Sequence, residues 1–461
     1  MTISERLSDF VHGLSVKDIP PEVMEKAKSL VVDTIGIGLS STTMEFGKAA
    51  IKLTNGWGGR SEASIIGSSL KTNAQNAAFC NGVLFHGQDY DDTHTGSVVH
   101  STAALLPVMM AAGEQANAKG ADALVALIAG TELAIRLGNI APNQFHGNGY
   151  HTTSVTTTFA SAAIAGKLYG HGRETLVNAL GVSGSFVSGL IECVGAGADA
   201  KRLHAGWPAH SGIMAAQVAG IGYSGPRTVF EGNMGVYKSM LNNASVDFEE
   251  IFSGLGEMWN ILDVRPKLYP CCHYLQAFID CASEIRGNSD FDIRRIKSIS
   301  CKVPEGAVRI VCEPWKKKQS PSNNYEARFS LPYSVAVMLV KGSAGPDDYS
   351  DSVISDPDIQ ALMQKISYQV DHARQVKDMP GYVSVLLDDG TNIVVDVPVV
   401  RGDREFPIEE TEIKKKFLQN VSFMDGDAAN ALLDDLLALD ELESLATLTR
   451  HMQFDELSSV K

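Results

Sequence analysis

Residues 101–137 read STAALLPVMMAAGEQANAKGADALVALIAGTELAIRL, and this stretch decides the fold class. Two apolar runs, Thr102 to Asn117 and Ala121 to Leu137, follow helical spacing, with Asn and Gly between them. The most apolar part, Ala103 to Ala112, contains Pro107 and is far shorter than the ~20 residues a membrane-spanning helix needs. Upstream, Asp18-Ile19-Pro20-Pro21 starts a helix with Pro in its first turn. Val23, Ala27, Leu30, Val31 and Ile35 continue it. Downstream, Ser154 to Leu168 and Arg173 to Val187 repeat the pattern. Residues 1–265 therefore predict helix after helix, with few strands.

The pattern changes near Pro266. Ile299, Cys301 and Val303 alternate with polar residues, as in a half-buried strand. Gly381 to Leu387 and Ile393 to Val397 flank Asp388-Asp389-Gly390-Thr391, a hairpin signal. Helical stretches are expected at Tyr274 to Arg286 and Pro332 to Lys341. Residues 266–407 thus predict a smaller α+β domain. After Pro407 the chain is helical again, at Glu409 to Gln419, Gly426 to Leu439 and Glu441 to Gln453. These tail helices carry Leu432, Leu433, Leu436 and Leu437, which must dock on something apolar. The first helical region is the natural host, giving one domain from residues 1–265 and 408–461.

The chain has 461 residues, 39 basic and 54 acidic, for a net charge of −15. Such an acidic surface is a poor partner for nucleic acid or an anionic membrane. An anionic ligand would need a local basic site. The seven cysteines include no CxxC pair, so a reduced chain without an iron–sulfur cluster is expected. Met1 to Arg6 runs into an amphipathic stretch without an apolar signal core, and a cytoplasmic location is the expectation. No GxxxxGK[ST] or complete GxGxxG occurs, which argues against nucleotide cofactors.

Four segments concentrate chemistry. Residues 86–100, HGQDYDDTHTGSVVH, hold Asp89, Asp91, Asp92, Thr93, His86, His94 and His100. This density exceeds what a capped turn needs, and leaves a metal site or an acid–base site as readings. HExxH and EF-hand spacings are absent, so no metal is expected. Residues 145–153, FHGNGYHTT, put His151 at a helix start, where free N–H groups suit an anion. Lys201 and Arg202 lie among small apolar residues within GAGADAKRLHAGWPAHSG, residues 195–212. Lys267 lies between Pro266 and Pro270 at the inferred domain boundary, where pockets form readily. Cys271 and Cys272 read as small buried hydrophobes.

In this order, the four segments resemble the MmgE/PrpD family. DIPPEVMEKAKSLVVDTIGIGL near the start, KLYPCCHY, and EARFSLPYSVA at 326–336 extend the resemblance over nearly the whole chain. It implies a large all-helical domain built from both chain ends, a smaller α+β lid, and a homodimer. It also implies action on a small polycarboxylate without cofactor or metal. By resemblance Asp89, Thr93 and His100 are catalytic, and His151, Lys201 and Lys267 bind substrate. The spacer HTGSVV before His100 departs from the commoner HP-containing version, and the extra segments of the long methylcitrate dehydratases are missing.

The expected function is a cofactor-independent lyase for a citrate-like tricarboxylate, by 2-methylcitrate dehydration or cis-aconitate decarboxylation. Epimerisation of a substituted succinate such as iminodisuccinate is the alternative. From other classes, Asp89-Tyr90-Asp91-Asp92 fits a helical DxDD terpene cyclase, although aromatics are only 7%. A non-catalytic dicarboxylate-binding protein is a further alternative. In the lyase reading the lysines and His151 hold carboxylates, while His100 and Asp89 move a proton.

Overall fold

A computed structural model describes residues 1–242 and 245–454; the last residues of the expected tail, 455–461, lie outside it. The molecule is mainly α, with small sheets. The helices that matter for the site are α1 (Pro21–Thr42), α2 (Ala74–His86), α3 (Ser101–Gln115), α4 (Gly120–Asn139), α5 (Thr152–Leu168) and α6 (Leu203–Gly220). Further along come α7 (Gln276–Gly287), α8 (Leu331–Lys341), α9 (Glu410–Asn420) and α10 (Gly426–Leu437). Among the described residues, no helix is long and apolar enough to cross a membrane.

Two apolar cores organise the chain. The first runs from Ile3 to Val264 and resumes from Ile413 to Met452. Leu105, Met109, Leu127, Ile135 and Phe159 fill it from α3, α4 and α5. Phe417, Leu432, Leu433 and Leu436 fill it from α9 and α10, which pack on α1. Gly36 lets α9 come close, because a Cβ there would stand 3.0 Å from the Phe417 ring. Gly82 does the same between α2 and α6: its Cβ would lie 2.7 Å from the Gly206 Cα. That crossing brings the end of α2 against the start of α6, and both ends carry site residues.

The second core has all its buried members between Cys271 and Val400. Its sheet has the order β2-β1-β3-β4, with β1 Ile296–Pro304, β2 Ile366–Asp371, β3 Gly381–Leu387 and β4 Asn392–Val397. β1 pairs parallel with β2 and antiparallel with β3; β3 pairs antiparallel with β4. In β3 buried and half-exposed residues alternate, as the sequence pattern requires, and α7 covers it.

Among the differences from expectation, three segments have a clear physical reason. β2 was not foreseen, because only Ile366 in it is buried and an edge strand carries little apolar alternation. The helix from Arg173 ends at Ser183, where Gly184 follows. The last tail helix covers only Leu445–His451, beginning where the Ser444 side chain caps the Ala446 N–H.

Candidate active site

The segment 86–100 spans the gap between two packed helices. His86 is the last residue of α2, and His100 is the N-cap of α3. His151 is the N-cap of α5, and neither capping histidine spends its ring on its own helix. The N-termini of α3 and α5 therefore lie close together, the His100 N–H donating to Thr153 Oγ1 at 3.0 Å and the Thr102 N–H of α3 to Asp92 Oδ1 at 3.3 Å. Thr93–His94 pairs antiparallel with Val264–Arg265, and this short ladder delivers Lys267 to Asp89. Lys201 arrives on the helical turn Asp199–Arg202 that leads into α6.

All six residues singled out by sequence are buried and come together. Lys201 Nζ donates to Asp89 Oδ1 at 2.7 Å, and Lys267 Nζ donates to the same oxygen at 3.2 Å. Lys267, fully buried, also donates to the Asp89 main-chain carbonyl at 2.8 Å. Burial opposes ionisation of Asp89, but Lys201 and Lys267 outweigh it and hold the carboxyl well below its usual range. Burial likewise disfavours the Lys201 cation, and Asp89 more than restores it. Two ammonium groups face one carboxylate, a local positive surplus around Asp89 that the ionised Asp91 nearby offsets. Asp89, expected from sequence to move a proton, has here the geometry of a counter-ion, because a carboxylate held between two cations accepts a proton poorly.

Beside this lies the imidazole cluster. His86 Nδ1 donates to Asp91 Oδ2 at 2.8 Å, and His100 Nδ1 stands 3.5 Å from the same oxygen. His100 Nδ1 is 2.9 Å from the Asp92 carbonyl, which can only accept, so this nitrogen carries the proton. The Thr93 hydroxyl oxygen, 3.1 Å away, shares that N–H. His100 Nε2 is then left with its lone pair. Burial first, and then Lys201 and Lys267, keep the ring neutral well below its ordinary pKa, with Asp91 opposing. Burial followed by His204 and Lys201 does the same to His151. The His100 and His151 ring centres are 5.8 Å apart, and His86 lies 5.1 Å from His100.

The three aspartates of the segment thus fall into two states, with Asp89 and Asp91 held ionised and Asp92 not. Asp91 is pulled down by His86 and His100 against the cost of burial. Asp92 is pushed up to about 7 by burial, with Asp91 adding to it. His86, Asp91 and His100 offer ligand atoms within 4.8 Å of one another and could hold a metal ion. Hydrogen bonds to Asp91 and to the Asp92 carbonyl already satisfy the two imidazole Nδ1 atoms without one.

Several groups were missed by sequence reasoning. His273 is buried with neither ring nitrogen bonded, and burial followed by Lys267 holds it neutral. It sits inside the quoted KLYPCCHY motif, which could have suggested it. His204, in the quoted KRLH stretch, puts its Nδ1 3.2 Å from His151 Nδ1. Arg328, in EARFSLPYSVA, donates to Gln88 O and Pro270 O, each at 2.6 Å, and so ties the two site segments together. Burial pushes the Cys271 thiol up and the Cys272 thiol to about 11, so both stay protonated and pack as hydrophobes.

A separate cavity of about 280 Å³ is lined by Glu22, Lys26, Val32, Leu262, Gly402 and Arg404, among others, and by none of the six residues. Of its cations, Lys28, Arg404 and Lys414 are already paired with Asp440, Asp263 and Glu410, and Lys26 donates to Gly402 O at 3.2 Å. The buried cluster, with its two convergent lysines, is the better candidate for chemistry on an anion.

Comparison with known families matches residues 5–249 to the MmgE/PrpD N-terminal domain and residues 269–439 to the MmgE/PrpD C-terminal domain. The chain is 26% identical to a cis-aconitate decarboxylase-like protein of Aspergillus oryzae, over 95% of this chain and 94% of the relative. It is 26% identical to the cis-aconitate decarboxylase of Homo sapiens, over 97% and 94%. A probable 2-methylcitrate dehydratase of Saccharomyces cerevisiae is 24% identical, over 85% and 80%.

Proposed function

We propose that this chain, which belongs to the MmgE/PrpD family, is a cofactor-independent lyase that acts on a citrate-like tricarboxylate. The observation that carries the reading is Asp89 held between buried Lys201 and Lys267, next to a neutral His100. Lys201, Lys267 and the N-terminus of α5 supply positive potential, and the neutral His151 ring a polar contact, for two or three carboxylates. His100 Nε2, the free lone pair, is placed to take a proton from carbon beside a carboxylate.

Decarboxylation uses the same nitrogen in its protonated state. A bound trianion raises the His100 pKa and lets the ring take up a proton. The C–C bond to one carboxylate breaks, carbon dioxide leaves, and the electron pair left on carbon takes the proton from Nε2. In dehydration Nε2 removes the carbon-bound proton, and a second protonated group of the site delivers a proton to the departing hydroxide. Cis-aconitate decarboxylation is the first choice. The relatives with that name align over 93–95% of their length, against 80% for the yeast dehydratase.

The burial of all six residues supports a site that closes over its substrate, with the 271–400 part acting as the lid. Leu203, Trp207 and Met214 form an exposed apolar stripe on α6, continued by Ile221. It supports a homodimer, and light scattering at several concentrations checks it. A cytoplasmic location is part of the same proposal.

The test is incubation of the protein with cis-aconitate, 2-methylcitrate, citrate and iminodisuccinate, each followed by proton NMR. Consumption of cis-aconitate with a new alkene product is expected. Turnover of iminodisuccinate alone would favour the epimerase alternative, and turnover of none would overturn the lyase reading.

A further inference from the structure

Asp89 adopts the left-handed conformation, with φ +53°, which a side chain other than Gly enters at a cost. Something must hold it there. The carbonyls of three consecutive residues around this turn each accept from a different buried cation. Arg328 takes Gln88 O at 2.6 Å, Lys267 takes Asp89 O at 2.8 Å, and Lys416 takes Tyr90 O at 3.2 Å. Two of these cations, Lys267 and Arg328, belong to the KLYPCCHY and EARFSLPYSVA segments. Lys416 does not: it comes from α9, in the tail of the chain.

Lys416 does more than meet Tyr90. Its Nζ donates to Lys267 O at 2.7 Å, pairs with Asp33 Oδ1 of α1 at 2.7 Å, and lies 3.7 Å from the centre of the Tyr90 ring. Tyr90 in turn donates its hydroxyl to Leu268 O at 3.0 Å. One ammonium therefore joins the main chain beside Asp89 to the main chain of Lys267, and those two residues form half of the anion pocket. A simple structural ion pair would not need to bridge these two loops.

We propose that Lys416, anchored by Asp33, is a positioning residue that sets the Lys267–Asp89 geometry from the C-terminal end of the chain. The proposal rests on the polycarboxylate reading for its effect on activity, but not for its effect on the two segments. Lys416 does not touch substrate. It fixes where the lysine that does so points, and the chain's end thereby becomes part of the site's construction.

The test compares Lys416→Met with Lys416→Gln, whose amide keeps two N–H donors for the two carbonyls. Melting curves first establish folding. Turnover of cis-aconitate and binding of citrate by calorimetry are then measured, with amide hydrogen exchange over 86–94 and 264–270. Lys416→Met is expected to exchange faster in those two segments and to lose about 10- to 10²-fold in kcat/KM, mainly through KM. Lys416→Gln is expected to recover most of both. If Lys416→Met fails to fold, Lys416→Gln is compared with Asp33→Asn, and Lys416→Gln should remain the less impaired. A folded Lys416→Met with wild-type exchange and kcat/KM would overturn the proposal, as would a Gln variant no better than its comparator. Wild-type protein that neither binds nor converts any polycarboxylate would sink the lyase reading instead, while the exchange result would still decide the positioning role.

Discussion

Two small regions on either side of the 86–94 segment hold the same kinds of group in opposite balance. Around Asp89, one carboxylate meets two lysines, and the surplus is positive. Around Asp91, one ionised carboxylate meets two imidazoles, His86 and His100, so the region adds no positive surplus and offers a proton site instead. Position in the chain differs by two residues; environment differs by what the helices deliver. Lysines come from α6's lead-in and from the 264–270 segment, and histidines come from the ends of α2 and α3. The first balance suits gripping an anion and the second suits moving a proton.

The largest effect should come from the imidazole side. His100→Ala is expected to lower kcat by about 10²–10⁴, the range of a positioned acid or base, with KM nearly unchanged. Steady-state kinetics on cis-aconitate checks this. Equal loss in His86→Ala would merge the two histidines into one unit; wild-type turnover in His100→Ala would move the proton chemistry elsewhere.

On the lysine side, Lys201→Met and Lys267→Met should each raise KM by about one to two powers of ten. A charge-assisted contact is worth about 1.5–3 kcal/mol, and each ~1.4 kcal/mol is tenfold. Asp89→Asn sharpens the contrast further. It removes the charge that competes with an anion for both lysines, so citrate affinity measured by calorimetry should hold or rise, with kcat less affected than in His100→Ala.

A smaller effect is expected in stability against pH. His94, His146 and His204 are pushed down to about 4, with burial the largest cause. Their unfolded values lie near 6.5. Between these limits the unfolded chain binds more protons, so stability rises with pH there. The melting temperature should be level with respect to these groups above about 6.5 and fall as the pH drops toward 4. A flat profile over that window would mean that the rings are not buried neutral. The smallest effect is a null one: chelators and thiol-blocking agents should leave turnover unchanged, and restoration by a divalent ion after loss in EDTA would point instead to His86, Asp91 and His100 as ligands.

Much of this was legible in the sequence because the relevant signals are local. The apolar period of 101–137 marked α3 and α4, and Asp388-Asp389-Gly390-Thr391 marked the β3–β4 turn. The 86–100 cluster stood out by its density of polar groups, His151 by its place at a helix start, and Lys201 and Lys267 by their apolar or proline-bound surroundings, while the choice of Asp89, Thr93 and His100 within the cluster came from the family resemblance. What stayed hidden depends on distant partners. Asp89's pairing with two lysines is set over separations of 112 and 178 residues. Lys416 looks like solvated surface in the run Lys414-Lys415-Lys416, and only the packing of α9 on α1 buries it against Asp33. His273 follows two cysteines, and nothing local shows that both its nitrogens lack partners.

The division between gripping and proton transfer is tested most directly by calorimetry of cis-aconitate binding to His100→Ala and Lys267→Met, side by side with wild type, at a pH where all three are folded. His100→Ala should bind as wild type does while turning over at least about a hundredfold more slowly. Lys267→Met should bind about ten- to a hundredfold more weakly. If instead His100→Ala loses affinity and Lys267→Met keeps it, the two regions have been assigned the wrong way round.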